Sequence, residues 1–378
     1  MQICKNCLIP NIRPDQIFTR GVCNACIFFE KKKNIDWKSR QKELFEIIEK
    51  LKLNTNSYNC IVPSSGGKDS LYQALRAREL GLNPLIVTAT TCHSSDIGKK
   101  NIENLKNIGF DTIEYSSNPV VRKKLNRLCL EEIGDISWPE HVCIFTLPIK
   151  IACKFKIPLI IYGENSQMEY GGPTDSLQNS NLDKKWMEEF GGLIGLRVSD
   201  LTQHYGFKNS EVEFLKYPEI EELEQNNIQS IFLGYYENWD ELRNFEVAKK
   251  NNFTSYVSKV ENSYFEFAKI DNYQHGIHDY FKYLKFGFGR ATDQLSLLIR
   301  KKIISREEGV NLVKKCEGFF PNSYLGKPLD EILENIEMTK EKFIQICDKF
   351  TNKKIFKCDQ SGHLVKDDSG NLIRVYDY

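Results

Sequence analysis

The sequence lacks any apolar run long enough to cross a membrane, and its first residues lack the apolar segment of a secretory signal peptide. It also lacks an excess of either charge, because 52 lysines and arginines stand against 51 acidic residues and give a net charge of +1. We therefore expect a cytoplasmic protein with no membrane partner. A nucleic-acid partner is not expected either, since no overall basic field attracts phosphate backbones.

The chain contains no internal repeat, no long low-complexity tract, no nucleophilic-cysteine glutaminase signature and no obvious catalytic triad. What remains is an ordinary globular composition, 41% hydrophobic and 27% charged, over 378 residues. A chain of this length can bury a sizeable core and suits two or three domains.

Twelve cysteines without a secretory signal favour free thiols and metal ligands over disulfides. Four of them form two CxxC pairs, Cys4 with Cys7 and Cys23 with Cys26, at the spacing typical of a four-cysteine zinc site. We predict a structural Zn²⁺ ion there, with an iron–sulfur cluster as the alternative. Four thiolates fill the coordination shell of zinc, so no catalytic water is expected on this ion.

The most informative motif is the run Ser64–Ser70, of sequence SSGGKDS, which follows an apolar segment and precedes a helical pattern. Two glycines allow backbone N–H groups to approach phosphate oxygens, and a helix N-terminus adds partial positive charge. Lys68 contributes a full charge, and Asp69 is a candidate magnesium ligand. The run therefore predicts an anion-binding loop that differs from the Walker A pattern, with a plain polar turn as the alternative.

From residue 58 the pattern alternates between short apolar strands and helical segments. This alternation predicts an α/β fold with a doubly wound parallel sheet, and ligands of such sheets bind beyond the carboxyl ends of the strands. The predicted strands are 60–62, 85–88, 110–115, 158–162 and 230–233, and the predicted helices are 70–80, 97–108, 120–133 and 145–155.

Four regions are expected along the chain. Residues 1–35 form the zinc module, and residues 36–57 form a connector with an amphipathic helix. Residues 58–238 form the α/β domain, with a loop-rich insertion at 171–218 where substrate specificity would reside. Residues 239–378 are mainly helical and end in a β-hairpin.

Further site candidates follow the fourth predicted strand. Glu164 and Glu169 join Asp69 as candidate Mg²⁺ ligands, because carboxylates opposite a phosphate loop can hold this ion between themselves and the phosphates. A solvated loop charge is the alternative for each acid. The candidate substrate contacts in this segment are Asn165, Tyr170 and Gly171.

In the C-terminal region the runs HGIHD and GFGRATD contain the remaining substrate candidates, which are His278, Asp279, Arg290 and Asp293. The small residues beside Arg290 favour its reaching a phosphate or a carboxylate, and we expect Asp293 to orient it from the same helix face. A structural role is the alternative, above all for a lone histidine.

Together, the CxxC pairs, the SSGGKDS loop, the segments Gly163–Asn165 and Glu169–Gly172 and the FGFGRATDQ run resemble the N-acetyl sugar amidotransferases of bacterial surface-glycan synthesis. This is the WbpG and PseA group, and the likeness is greatest to its pseudaminic-acid branch. The loop itself resembles the SGGxDS signature of the PP-loop ATP pyrophosphatases, which have a HUP-like sheet. The resemblance implies that Lys68 and Asp69 are catalytic and that ATP is bound by Ser64, Ser65, Gly66, Gly67, Lys68, Asp69, Ser70, Val87 and Thr88.

The resemblance also implies a reaction. An acetamido sugar, free or nucleotide-linked, is adenylated on its amide oxygen, and ammonia then replaces the AMP to give an acetamidino sugar for pseudaminic acid and flagellin glycosylation. A separate glutaminase subunit is the implied source of ammonia. The alternative is a PP-loop tRNA-thiolation enzyme. The sequence argues against it, because Cys143 and Cys153 do not form a close catalytic pair.

Overall fold

The computed structural model describes residues 1–13, 16–52, 57–164 and 195–378. The N-terminal module consists of a short hairpin, β1 (Phe18–Thr19) and β2 (Val22–Cys23), and a helix, α1 (Asn24–Lys32). The connector is the helix α2 (Trp37–Lys52). It buries one apolar face against the main core, as its helical spacing predicted.

A five-stranded, all-parallel sheet forms the centre of the fold. Its strands are β3 (Cys60–Pro63), β4 (Pro84–Ala89), β5 (Thr112–Tyr115), β6 (Leu159–Tyr162) and β7 (Gln229–Phe232). They lie in the order β5-β4-β3-β6-β7, so the chain extends the sheet on one side of β3 and then crosses to the other. The predicted doubly wound parallel sheet is confirmed.

Helices cover both faces of this sheet. They are α3 (Lys68–Glu79), α4 (Asp96–Asn107), α5 (Pro119–Ile133) and α6 (Trp138–Phe155). Alternate strand residues enter two different apolar clusters, because successive side chains of a strand point to opposite faces. Val62 packs in the cluster that contains the α3 residues, whereas Ile61 packs in the cluster that contains the α6 residues.

One predicted helix is longer than expected. The pattern predicted a helix over 145–155, but α6 begins at Trp138. Pro139 lies in its first turn, where the missing N–H of proline costs nothing because it would have no partner within the helix. A second proline, Pro148, lies inside the helix, so the helix continues past a residue that usually interrupts one.

The described end of the predicted insertion packs against α6, one of the helices that cover the sheet. It contains α7 (Val198–Gln203), α8 (Asn209–Val212) and a 3₁₀ turn at Glu213–Leu215, and α9 (Ile220–Gln225) follows before β7. The hydroxyl of Thr146 on α6 donates to the backbone oxygen of Phe214 at 3.3 Å. This part of the insertion therefore packs over α6 and shields it. The rest of the insertion, from residue 171 to 194, lies outside the described residues.

The C-terminal region is mainly helical, as predicted. Its elements are α10 (Leu233–Tyr236), α11 (Glu241–Lys250), α12 (His275–Phe286), α13 (Arg290–Arg300), α14 (Arg306–Cys316), β8 (Ser323–Tyr324), β9 (Lys327–Pro328), α15 (Leu329–Glu334) and α16 (Lys340–Phe350). The predicted terminal hairpin is present around the turn Asp367–Asn371, where Lys366 pairs with Leu372. Within the described residues, no helix combines the length and apolarity needed to span a bilayer.

The C-terminal region packs closely against the α/β domain at a glycine. A Cβ atom on Gly98 of α4 would lie 2.6 Å from the backbone oxygen of Asp271, so only a glycine allows the two backbones to approach this far. The backbone N–H of Ser95 donates to that same oxygen at 2.9 Å, and the Ser95 hydroxyl donates to the oxygen of Ile270. The start of α4 is thereby fixed to the segment 270–271.

We predict that Gly98→Ala destabilises the protein, although alanine favours helices over glycine by roughly 1 kcal/mol. The new methyl group meets backbone atoms that cannot rotate away, so the free energy of unfolding should fall by about 1–3 kcal/mol. Denaturant titration measures it. Gly309→Ala in α14 is the control, because its nearest contact is the flexible end of Ile299. An equal or higher stability of Gly98→Ala would contradict the packing described here.

Candidate active site

The four N-terminal cysteines form one buried cluster. Their sulfur atoms all lie within 4.8 Å of one another, with Cys4 and Cys26 at 3.8 Å and Cys7 and Cys23 at 3.6 Å. A tetrahedral zinc ion with Zn–S bonds of about 2.3 Å separates its sulfur ligands by roughly 3.8 Å, so the cluster fits this ion. The Cys4 sulfur also accepts backbone N–H groups from Asn6 and Cys23, which compensates part of a thiolate's charge.

The zinc module is attached to the C-terminal region. The backbone N–H of Leu8 donates to the Ser296 hydroxyl of α13 at 3.2 Å, and the Arg306 guanidinium donates to the backbone oxygen of Cys7 at 3.2 Å. Phe288, just before α13, packs among the four cysteines. The module is therefore part of the same structural unit as the residues that we describe next.

The loop between β3 and α3 has the geometry expected of an anion site. Gly66 has a φ of +83°, and a Cβ atom there would lie 2.7 Å from the backbone oxygen of Gly98, so two separate reasons require glycine. Gly67 is the N-cap of α3 and brings no side chain to the helix start. The Ser64 hydroxyl accepts the Gly66 N–H at 3.1 Å and lies 2.8 Å from the Ser70 hydroxyl.

Lys68 is a buried cation held between two carboxylates. Its ammonium nitrogen lies 2.6 Å from Asp69 Oδ2 and 3.1 Å from Glu241 Oε1 on α11. Burial opposes its charge, but the two carboxylates outweigh burial and raise the pKa of Lys68 above its usual value. Asn244 donates to the other oxygen of Asp69 at 3.1 Å. Lys68 therefore stays protonated, and Asp69 has a fixed orientation.

Glu164 follows β6 at the same end of the sheet. Burial and, second to it, the nearby Asp69 carboxylate raise the pKa of Glu164 to about 7. The residue before Glu164 is Gly163, where any larger residue would clash. A Cβ atom there would lie 2.4 Å from Gln73 Nε2 and 2.8 Å from the Trp239 ring. Glu164 and Asp69 are two carboxylates close together, and a cation bound between them would relieve their mutual repulsion.

A cavity of about 1170 Å³ lies over these residues. Its floor is the loop 64–70 together with Val87, Gly163 and Glu164, so the carboxyl ends of the strands converge as the topology predicted. Its walls come from other regions, including Phe29 and Trp37 near the zinc module, Cys143 on α6 and Phe267, Lys269, Asp271 and Gln294 in the C-terminal region. Thr88, predicted with Val87 for ATP, is buried and does not line it.

Two of the C-terminal candidates reach the cavity, but not in the predicted arrangement. Arg290 and Asp293 both line it. Arg290 is oriented by Asp279, with its Nη2 2.9 Å from Asp279 Oδ1, whereas Asp293 pairs with Lys282. Our expectation that Asp293 orients Arg290 is therefore wrong. The packing of α12 against α13 brings Asp279 opposite the start of α13, and sequence spacing alone does not reveal this contact between two helices.

His278 faces away from the cavity. Its Nδ1 lies 2.8 Å from the buried Asp135 carboxylate, and His141 Nδ1 lies 3.5 Å from the other oxygen of Asp135. His278 and His141 do not line the cavity. His278 therefore has a structural role, which was the alternative interpretation of this residue. Its contact with Asp135 joins α12 to the turn before α6.

Four predicted site residues cannot be placed. Asn165, Glu169, Tyr170 and Gly171 lie outside the described residues. Of the three candidate Mg²⁺ ligands, Asp69 and Glu164 line the cavity. Within the described residues, the four cysteines are the one group that places three or more metal-ligating atoms within 4.8 Å. One or two carboxylates suffice for a magnesium ion that takes its other oxygens from phosphates and water, so Asp69 and Glu164 fit this role.

Sequence reasoning missed several residues of the cavity. Glu241, which holds Lys68, lies 173 positions after it in the chain, and no motif marks it. Lys269 and Asp271 lie in a segment without regular secondary structure. The acidic pair at 240–241 is typical of a helix start. It therefore predicts where α11 begins, but not that Glu241 contacts Lys68.

Part of the chain matches a known family. Residues 229–367 match the family described as "LPS biosynthesis protein WbpG-like, C-terminal domain". This stretch of the chain is similar to the C-terminal domain of WbpG-like proteins. The family resemblance expected from the sequence is thereby confirmed. The WbpG-like domain begins at β7 and contributes Glu241, Lys269, Arg290 and Gln294 to the cavity whose floor is the loop 64–70.

Two solved structures are distantly similar. A predicted subunit of a tRNA methyltransferase from Methanocaldococcus jannaschii is 15% identical, with 62% of this chain and 92% of that chain covered and a TM-score of 0.30. NMN synthetase from Francisella tularensis is 14% identical, with 56% of this chain and 96% of that chain covered and a TM-score of 0.28. TM-scores this low do not establish a shared fold. No curated protein matches the chain.

We predict that Cys7→Ser removes bound zinc, because three thiolates and a hydroxyl hold the ion far more weakly than four thiolates. Purified wild-type protein should contain about one zinc per chain by elemental mass spectrometry. The control is Cys358→Ser, an exposed cysteine that is not part of the cluster. Full zinc content in Cys7→Ser, or iron in place of zinc in the wild type, would contradict the assignment.

We predict that Glu164→Gln stabilises the protein at pH 8 but not at pH 4. The folded-state pKa of about 7 lies above the ordinary value of 4.5, so the protonated acid favours folding, and this stability is lost as the pH rises through 7. Glutamine stays neutral and avoids the loss. Thermal unfolding in nucleotide-free, metal-free buffer measures it, with the exposed Glu224→Gln as control. A pH-independent difference between variant and wild type would count against the raised pKa.

Proposed function

We propose that the protein is an ATP-dependent amidotransferase. It adenylates the oxygen of an acetamido group on a sugar and replaces that oxygen with nitrogen from ammonia, releasing AMP and pyrophosphate. The observation that carries the proposal is that the loop 64–70 and the WbpG-like domain line one cavity. This supports the proposal because a loop of the SGGxDS type lies beside the stretch whose family description refers to lipopolysaccharide biosynthesis.

The chemistry explains why ATP is needed. An amide carbonyl is a poor electrophile, because the nitrogen lone pair is delocalised onto the oxygen. Attack of that oxygen on the α-phosphorus breaks the bond to the bridging oxygen, whose electron pair leaves with pyrophosphate. Ammonia then adds to the activated carbon, AMP departs with the former amide oxygen, and loss of a proton leaves the amidine. The site needs charge stabilisation and positioning more than it needs acid–base catalysis.

The described residues suit these roles. Backbone N–H groups of the loop and the start of α3 would bind the β- and γ-phosphates, and Lys68 would stabilise charge on the leaving pyrophosphate. Asp69 and Glu164 would hold Mg²⁺, which neutralises phosphate charge when bound. Trp239 and Phe267 give the cavity apolar walls that exclude water from the activated amide.

Ammonia must come from elsewhere. We propose a separate glutaminase subunit as its source, because ammonium is protonated at neutral pH and is not a nucleophile. We further propose a cytoplasmic protein that makes a pseudaminic-acid-type sugar for surface glycans or flagellin. Free ammonium should support turnover that rises with pH, since the fraction of neutral ammonia rises, whereas glutamine alone should support none.

The thiolation alternative is disfavoured by the cavity itself. Among the described residues, Cys143 is the one cysteine that lines it, and burial raises the pKa of Cys143 to about 11. A thiol with so high a pKa is a weak nucleophile at neutral pH. Such an enzyme also needs a sulfur donor, so turnover with ammonium and without any sulfur source separates the two functions.

The test is incubation of the zinc-loaded protein with ATP, Mg²⁺, ammonium and a panel of acetamido sugars, free and nucleotide-linked. Mass spectrometry should find a product lighter by about one mass unit, because oxygen is replaced by NH. AMP and pyrophosphate should form in equal amounts. Formation of ADP and orthophosphate would contradict the proposal.

Two variants make this test specific to the loop. Lys68→Met and Asp69→Asn should each lower kcat by about 100-fold or more, because each removes charge placed at the reacting phosphates. Asp96→Asn is the matched control, since Asp96 is an exposed acid in the first turn of the neighbouring α4. An Asp69→Asn protein with unchanged turnover would exclude the proposed role of the loop.

A further inference from the structure

The loop 64–70 has little positive charge to offer a leaving pyrophosphate. Its lysine, Lys68, already lies within 3.1 Å of two carboxylates, Asp69 and Glu241. Glu164 is a third acid close by. Pyrophosphate carries several negative charges. Compensating them at this loop requires a further cation in addition to the proposed Mg²⁺.

Lys269 is such a cation. It lines the same cavity, and within the described residues no carboxylate lies within 4.0 Å of its ammonium group and no hydrogen bond involves that group. Its backbone has a φ of +58°, a conformation that a lysine adopts only when its surroundings impose it. The Tyr324 hydroxyl imposes it in part, by donating to the Lys269 backbone oxygen at 2.8 Å.

The segment that carries Lys269 crosses the phosphate loop. At one end, the Phe267 ring lies 5.4 Å from the Lys68 ammonium nitrogen. At the other end, Asp271 packs against Gly98, whose backbone oxygen in turn contacts Gly66 of the loop. Lys269 lies between these two anchors, so its long side chain starts beside the loop and enters the cavity above it.

The electrostatic surroundings of Lys269 favour an anion. Burial and, second to it, the neighbouring Arg290 lower the pKa of Lys269, and together they outweigh the carboxylates of Asp279, Asp271 and Glu164, which raise it. Arg290 is committed to Asp279, and the nearest acid on the same segment, Asp271, pairs with His275 at 3.3 Å. A phosphate oxygen beside Lys269 would relieve both the loss of hydration and the repulsion between the two cations.

We propose that Lys269 is a second catalytic cation, which donates hydrogen bonds to the nonbridging oxygens of the β- and γ-phosphates of ATP. It stabilises the negative charge that pyrophosphate gains when the bond between the α-phosphorus and the bridging oxygen breaks. The electron pair of that bond leaves on the bridging oxygen, and no proton transfer is required. This inference rests on the proposed function, because it takes the loop 64–70 to bind ATP.

The test is calorimetric titration of the zinc-loaded full-length protein with magnesium pyrophosphate and, separately, with AMP. In Lys269→Met, pyrophosphate affinity should fall roughly 10- to 100-fold, because a charged hydrogen-bond donor is lost, while AMP affinity stays within about twofold of wild type. Lys269→Arg, which keeps the charge, should lose less than Lys269→Met. All variants are first compared with wild type by circular dichroism and thermal unfolding.

The control is Lys156→Met. Lys156 also has a left-handed backbone, with a φ of +54°, but it caps α6 on the exposed surface outside the cavity. Its variant should bind pyrophosphate as the wild type does. If Lys269→Met does not fold, Lys269→Gln replaces it with the same expectation.

Two outcomes would overturn the inference, and they differ from one another. Wild-type protein that binds neither ATP nor pyrophosphate would refute the proposed function and this inference together. Wild-type binding with unchanged pyrophosphate affinity in Lys269→Met would refute the inference alone, and a raised KM for the sugar in that variant would then assign Lys269 to the sugar instead.

Discussion

The candidate site depends on a close approach of three backbone segments. The loop 64–70 at Gly66, the first turn of α4 at Gly98 and the C-terminal segment at Asp271 pack in sequence, with no room for a side chain at either glycine. This contact places a segment from late in the chain directly over a loop from its first quarter. Without it, the cavity would lack the wall that Phe267, Lys269 and Asp271 form.

The same contact explains how charge is distributed in the cavity. The loop contributes Lys68, which two carboxylates hold in place, and the segment above it contributes Lys269, which has no carboxylate within ion-pairing distance in the described structure. One cation is therefore oriented in advance, and the other remains available for a ligand. Preorganised charge of this kind is the largest single source of catalysis where negative charge moves between phosphates and a leaving group.

The sequence predicted what local patterns determine. Cysteine spacing identified the four-cysteine cluster, alternating apolar runs identified the parallel sheet, and the glycines of the SSGGKDS run identified the loop. The sequence did not predict that Glu241 contacts Lys68, that Lys269 lines the cavity or that Arg290 pairs with Asp279. Each of these contacts arises from tertiary packing between separate segments of the chain. It also did not predict that His278 turns to Asp135, since a histidine carries no signal of its partner.

The N-terminal module with its four cysteines and the cavity of the candidate site belong to one assembly of elements. The module packs on α13, and α13 contributes Arg290 and Gln294 to the cavity wall. Loss of the metal would therefore disturb the site through α13, although zinc takes no part in the chemistry proposed here.

The central claim is that the loop holds pyrophosphate while the adenylate passes to an amide oxygen. The most direct measurement uses an acetamido sugar labelled with oxygen-18 in its carbonyl group. The account predicts AMP that is heavier by about two mass units and unlabelled pyrophosphate, because the amide oxygen leaves with the adenylate. Unlabelled AMP, or label in orthophosphate, would contradict it.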